Sequence, residues 1–146
     1  MPARFPNPQG AYASATQTGG WTTSTKILLN TVDTAYPYTT ISSNAVILNA
    51  AGFVRVTAQV NINLGYTCTV TLQVNGVTVS TGNTLATSTL SYAYQAQRGD
   101  SLTIWETDNS FNAGTVQAGS TTTYLHVAPA GPSTSSGIST MRAAGF

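Results

Sequence analysis

Charge is what this chain has least of. Charged residues make up 6% of its 146 positions, five basic and four acidic, against roughly 25% in an ordinary soluble domain. A net charge of +1, spread along the sequence without a local basic cluster, gives no electrostatic footprint for nucleic acid or anionic lipid. The single cysteine, Cys68, excludes an intramolecular disulfide and a cysteine-based zinc site. The single histidine, His126, leaves little for acid–base chemistry, and there is no Gly-x-Ser-x-Gly motif to supply a nucleophile. No window approaches the ~20 apolar residues of a membrane span. Met1-Pro2-Ala3-Arg4-Phe5-Pro6-Asn7-Pro8 lacks the apolar core of a secretory signal, so synthesis and folding in a cytoplasm are expected.

Hydroxyls and amides replace the missing charge. Threonine is the commonest residue, with serine, asparagine and glutamine behind it. A surface wetted this way and close to neutral favours association with other chains. The mass of 15.1 kDa suits one domain.

Between the ends, hydrophobicity repeats every second residue. Val54, Val56, Ala58, Val60, Ile62 and Leu64 alternate with Arg55, Thr57, Gln59, Asn61 and Asn63, the pattern of a strand with one face in a core. Cys68, Val70, Leu72 and Val74 continue it, with Cys68 as a small core residue. Asn75-Gly76 then marks a hairpin, because a type I′ turn needs positive φ at both central positions; Val77 and Val79 follow. Leu90, Tyr92, Tyr94 and Ala96 form another alternating strand, and Leu102 and Ile104 lie on the next. Thr121 to Val127 is the last, closed by Pro129. Thr25–Asn30 and Ala45–Asn49 read as two more. About eight strands with no helix predict an all-β, antiparallel fold, whether a sandwich, a barrel or a jelly roll. Residues 1–21, rich in proline and glycine, read as an extended N-terminal arm, 22–128 as the domain and 129–146 as an extended tail. The arm would dock through Phe5, Pro6, Pro8 and Tyr12.

The order of these pieces resembles a known family. Ala51-Gly52-Phe53-Val54-Arg55-Val56 is similar to the Gly-aromatic strand of the complement component 1q globular head. Leu72-Gln73-Val74-Asn75-Gly76 and Arg98-Gly99-Asp100-Ser101-Leu102 resemble two of that family's strand–turn junctions. Thr123-Tyr124-Leu125 stands where the family's closing strand has Phe-x-Gly-Phe-Leu. The resemblance, over about residues 22–128, implies a jelly roll that trimerises, as in the tumour-necrosis-factor superfamily, and a binding or structural module without a cofactor rather than an enzyme. With no Gly-X-Y run in the sequence, the chain looks like a tailed-bacteriophage virion protein. The expected role is a minor tail, tail-tip or capsid decoration protein in the virion, with itself and the major capsid or tail proteins as partners. The alternative is a host-attachment module that binds a surface glycan through its tyrosines.

Particular residues carry these expectations. Trp105 is out of phase with Leu102 and Ile104 and is expected to point outward with Thr103. Tyr124 and His126 alternate in the same way against Leu125 and Val127. In the resembled trimers the two matching strands form the sheet facing the axis, so Thr103, Trp105, Tyr124 and His126 are the expected trimer interface. Glu106 and Asp108, two apart, are weak candidates for calcium or else a solvated loop end. Arg98-Gly99-Asp100 spells an integrin tripeptide, but glycine supplying positive φ and aspartate capping a tight turn account for it.

Overall fold

The computed structural model describes residues 9–13, 17–18, 25–32, 39–63, 68–84, 87–108 and 115–129. Among them are thirteen strands: β1 (Gln9–Tyr12), β2 (Gln17–Thr18), β3 (Thr25–Lys26), β4 (Thr31–Val32), β5 (Thr39–Ser42), β6 (Ala45–Leu48), β7 (Gly52–Asn63), β8 (Cys68–Val74), β9 (Val77–Thr84), β10 (Thr87–Ala96), β11 (Ser101–Asp108), β12 (Thr115–Val116) and β13 (Tyr124–Pro129). The predicted all-β class is what is found.

Two antiparallel sheets face each other. The larger runs β2-β12-β7-β13-β1-β4, with β10 on the other edge of β7; the smaller runs β5-β6-β11-β8-β9, with β3 also on β11. The alternation places the core as expected. Val54, Val56, Ala58, Val60 and Ile62 from the larger sheet meet Cys68, Val70, Leu72, Leu102 and Ile104 from the smaller one, all buried. Burial of this apolar surface, at about 25 cal/mol per Å², is the main driving force for the sandwich.

The turns follow from local chemistry. Asn75 and Gly76 have φ of 52° and 84°, the left-handed pair that a two-residue hairpin between β8 and β9 requires. Ser43 and Asn44, at 51° and 61°, make a second such hairpin between β5 and β6.

The N-terminal arm expected over 1–21 needs correction. Gln9–Tyr12 is a strand that pairs with β13 and β4, and Gln17–Thr18 pairs with β12. Gly10, which looks like a loop marker in the sequence, makes this possible: at φ +153°, an added Cβ would lie 1.8 Å from the Leu125 carbonyl oxygen. Only glycine allows that approach. Of the expected docking residues, Tyr12 therefore belongs to the body of the fold by its backbone, whereas Phe5, Pro6 and Pro8 lie outside the described residues. So does the tail from residue 130; Pro129 ends β13 opposite Val54.

Candidate functional site

The four residues expected to share one interface are not brought together. Thr103 and Trp105 sit on β11 in the smaller sheet, Tyr124 and His126 on β13 in the larger. Both pairs point away from the core, as the alternation requires, so they lie on opposite faces of the sandwich. The premise that the two strands share a sheet is corrected by the pairing: β11 joins β8, β6 and β3, and β13 joins β1 and β7.

On the smaller sheet, the chain itself covers its aromatic. The Trp105 indole N–H donates to Thr103 Oγ1 at 2.9 Å. Lys26, opposite Trp105 in the β3–β11 ladder, places its ammonium 5.9 Å from the ring centroid, within cation–π range. The same ammonium donates to the Ser43 carbonyl at 3.0 Å, tying β3 to the β5–β6 hairpin. Thr103 is buried and Trp105 half-buried.

The outer face of the larger sheet is built differently. Strand register sets side chains side by side: Tyr124 beside Gln59, His126 beside Thr57, Ala128 beside Arg55. Across β7, Thr57 meets Ser91, Arg55 meets Ala93 and Phe53 meets Gln95 on β10. The Tyr124 and His126 rings stack at 4.3 Å and 19°. The Tyr124 hydroxyl donates to Gln59 Oε1 at 3.3 Å, while the Gln59 amide donates to the Thr121 and Thr122 carbonyls at 3.0 Å each. The stack is therefore held in place by the chain's own side chains. Around it Arg55, Ser91 and Ala93 are exposed, and Phe53 is 37% exposed. Arg55 is the one formally charged residue on this face among the described residues. Phe53, Ser91 and Ala93 were not among the expected site residues. Their outward register was readable from the alternation, but their adjacency to Tyr124 and His126 depends on pairings between strands far apart in sequence.

Of the two calcium candidates, the structure describes the side chain of Glu106 alone. Glu106 shares its side of β11 with Leu102 and Ile104 and is 1% exposed, so it faces the core and is neither a solvated loop residue nor an open ligand. The Asp108 side chain lies outside the described residues. No cluster of three His, Cys, Asp or Glu side chains suited to a metal occurs among the described residues.

Arg98-Gly99-Asp100 is a turn, with Gly99 at φ 94° and Asp100 only 8% exposed. The Asp100 carboxylate accepts hydrogen bonds from the Gln97 N–H at 2.9 Å, the Tyr94 hydroxyl at 2.8 Å and the Asn75 amide at 3.0 Å. Burial pushes its pKa up, but the bonds from Gln97, Asn75 and Tyr94 outweigh that and hold it below the ordinary 3.8. Burial first, then the bond to Asp100, raises Tyr94 well above the usual phenol range. The carboxylate thus has its partners within the chain, as the turn reading expects.

The chain superposes on murine APRIL at pH 8.0 with a TM-score of 0.61 and 12% identity, over 84% of this chain and 97% of that one. The pH 8.5 form of murine APRIL gives 0.57 at 13% identity, over 84% and 99%. Rabbit GITRL gives 0.48 at 19% identity, over 64% and 77%. The fold is a tumour-necrosis-factor-like jelly roll. At such identities the likeness is one of fold. No protein-family model and no curated protein matches the sequence.

Proposed function

We propose that this protein is a non-enzymatic structural module that self-associates, as a homotrimer, through the outer face of the larger sheet. The observation that carries the reading is the braced Tyr124–His126 stack on the outer face of the larger sheet, where Arg55 is the sole formal charge among the described residues. Copies of such a face meet without burying ion pairs, whose desolvation is expensive. Hydroxyls and amides can pair with their counterparts, and tyrosine is among the residues enriched in interfaces. The resemblance in sequence order to trimerising jelly rolls supports three copies. The smaller sheet is the weaker candidate, because a partner docking over Trp105 would have to desolvate the Lys26 ammonium that lies against its ring.

The setting we propose is a virion of a tailed bacteriophage, where the module is a tail-tip, minor tail or capsid decoration protein packed against capsid or tail proteins. A surface this poor in charge suits burial by neighbours on all sides. Sedimentation equilibrium tests the first part: the reading expects a species of three times the 15.1 kDa chain, and a monomer at high concentration overturns it. Gel bands of purified virions test the second; absence of the protein from washed particles removes the virion role and leaves self-association standing.

A further inference from the structure

At one end of the sandwich a single carboxylate ties its own turn and the end of β10 to the β8–β9 turn, 25 residues away in sequence. Asp100 Oδ2 accepts from the Tyr94 hydroxyl on β10 and from the Gln97 N–H. Oδ1 accepts from the Asn75 side-chain amide in the β8–β9 turn. Asn75 in turn accepts the Ser101 N–H on its own Oδ1 at 2.9 Å and donates its backbone N–H to the Ser101 carbonyl at 2.8 Å. The main chain of the same turn is latched to β6: Leu48 N–H donates to the Asp100 carbonyl at 2.9 Å and Gly99 N–H to the Leu48 carbonyl at 2.7 Å.

Two of the three donors to the carboxylate are locked in orientation. The Gln97 N–H can only donate. Asn75 cannot turn its amide over without breaking the bond from Ser101, so it too presents N–H to Asp100. Of the three partners, the Tyr94 hydroxyl alone can reverse its direction. The node therefore fits an ionised acceptor, whose bonds are roughly twice as strong as neutral ones, and fits a protonated carboxyl or an amide poorly.

We propose that Asp100 is an acid-releasable clamp: its ionised carboxylate pins the Gln97–Asp100 turn to the β8–β9 turn and to β10, and protonating it frees that turn while the two sheets stay folded. The titratable groups around it are few. β10 contributes Tyr94, with Tyr92 stacked behind it at 5.4 Å; the turn itself carries the exposed Arg98; and β6, the β8–β9 turn and the start of β7 carry none. The lowered pKa of Asp100 fits the same assignment and sets the sign: the clamp stabilises the turn above the ordinary carboxylate value and is lost as pH falls through the lowered one.

Trypsin reads the clamp directly, because Arg98 lies inside the pinned turn while Lys26 and Arg55 lie on paired strands and serve as internal controls. At pH 8, Asp100→Asn in the full-length protein is expected to speed cleavage after Arg98 by about tenfold or more, the equivalent of one charge-assisted hydrogen bond. Cleavage after Lys26 and Arg55 should be unchanged. Tyr94→Phe, which keeps the carboxylate, should give a smaller acceleration at the same bond. In the wild type, the Gln97 and Ser101 amide resonances should shift together on acidification while that of Val56 does not. Equal acceleration at all three bonds, an Asp100→Asn chain that does not fold, no acceleration after Arg98, or turn resonances that move only with the core would each overturn the proposal.

Discussion

The two outer faces of this sandwich each carry an out-of-phase aromatic, and they surround it differently. On the smaller sheet, Trp105 is served by its own chain: a threonine for its N–H and a lysine over its ring. On the larger sheet, Tyr124 and His126 are stacked on each other and braced by Gln59, amid exposed Phe53, Arg55, Ser91 and Ala93. An aromatic on the outside of a strand is therefore not enough to mark an interface. What separates the two faces is what lies against the ring: a lysine ammonium on the smaller sheet and a second aromatic ring on the larger.

The largest expected effect separates the faces outright. Ser91→Arg places a second cation beside Thr57, one strand from His126, and should abolish self-association while leaving the protomer folded. Thr81→Arg, exposed on β9 opposite Thr71 in the smaller sheet, should leave it intact. Light scattering on the two variants checks this, and the reverse result would assign assembly to the smaller sheet.

Much of the fold was readable in the chain itself. The alternation from Val54 to Ile62 and from Cys68 to Leu72 predicted both the strands and their buried sides, and Asn75-Gly76 predicted its hairpin. The site was less readable. Whether β11 and β13 share a sheet is decided by pairings across dozens of residues, which a period of two does not encode. β1 was missed because its four residues are too short to show alternation and contain Gly10, whose necessity appears only when Leu125 is beside it. Glu106 was misplaced because a carboxylate in a core register contradicts composition rules, although its two-residue spacing from Ile104 already pointed inward.

Further changes sharpen the contrast by smaller amounts. Gly10→Ala drives a methyl group into the Leu125 carbonyl, under the His126 side of the larger face. It should cost about 3 kcal/mol as β1 shifts or detaches, with a matching fall in the midpoint of denaturant unfolding, and it should weaken assembly. Trp105→Ala removes half-buried surface from the smaller face and should cost about 1–2 kcal/mol with no change in oligomeric mass. Thr103→Val, nearly the same in shape, leaves the indole N–H without this acceptor and should cost about 1 kcal/mol, again without effect on assembly. A loss of oligomer in either of the last two variants would break the distinction between the faces.

The most direct measurement is oxidative footprinting of dilute and concentrated protein, read at Tyr124 and Trp105. If copies of the chain cover the larger face, Tyr124 loses reactivity on concentration while Trp105 keeps the modest reactivity its own lysine allows. Protection of Trp105 with Tyr124 unchanged would contradict the account.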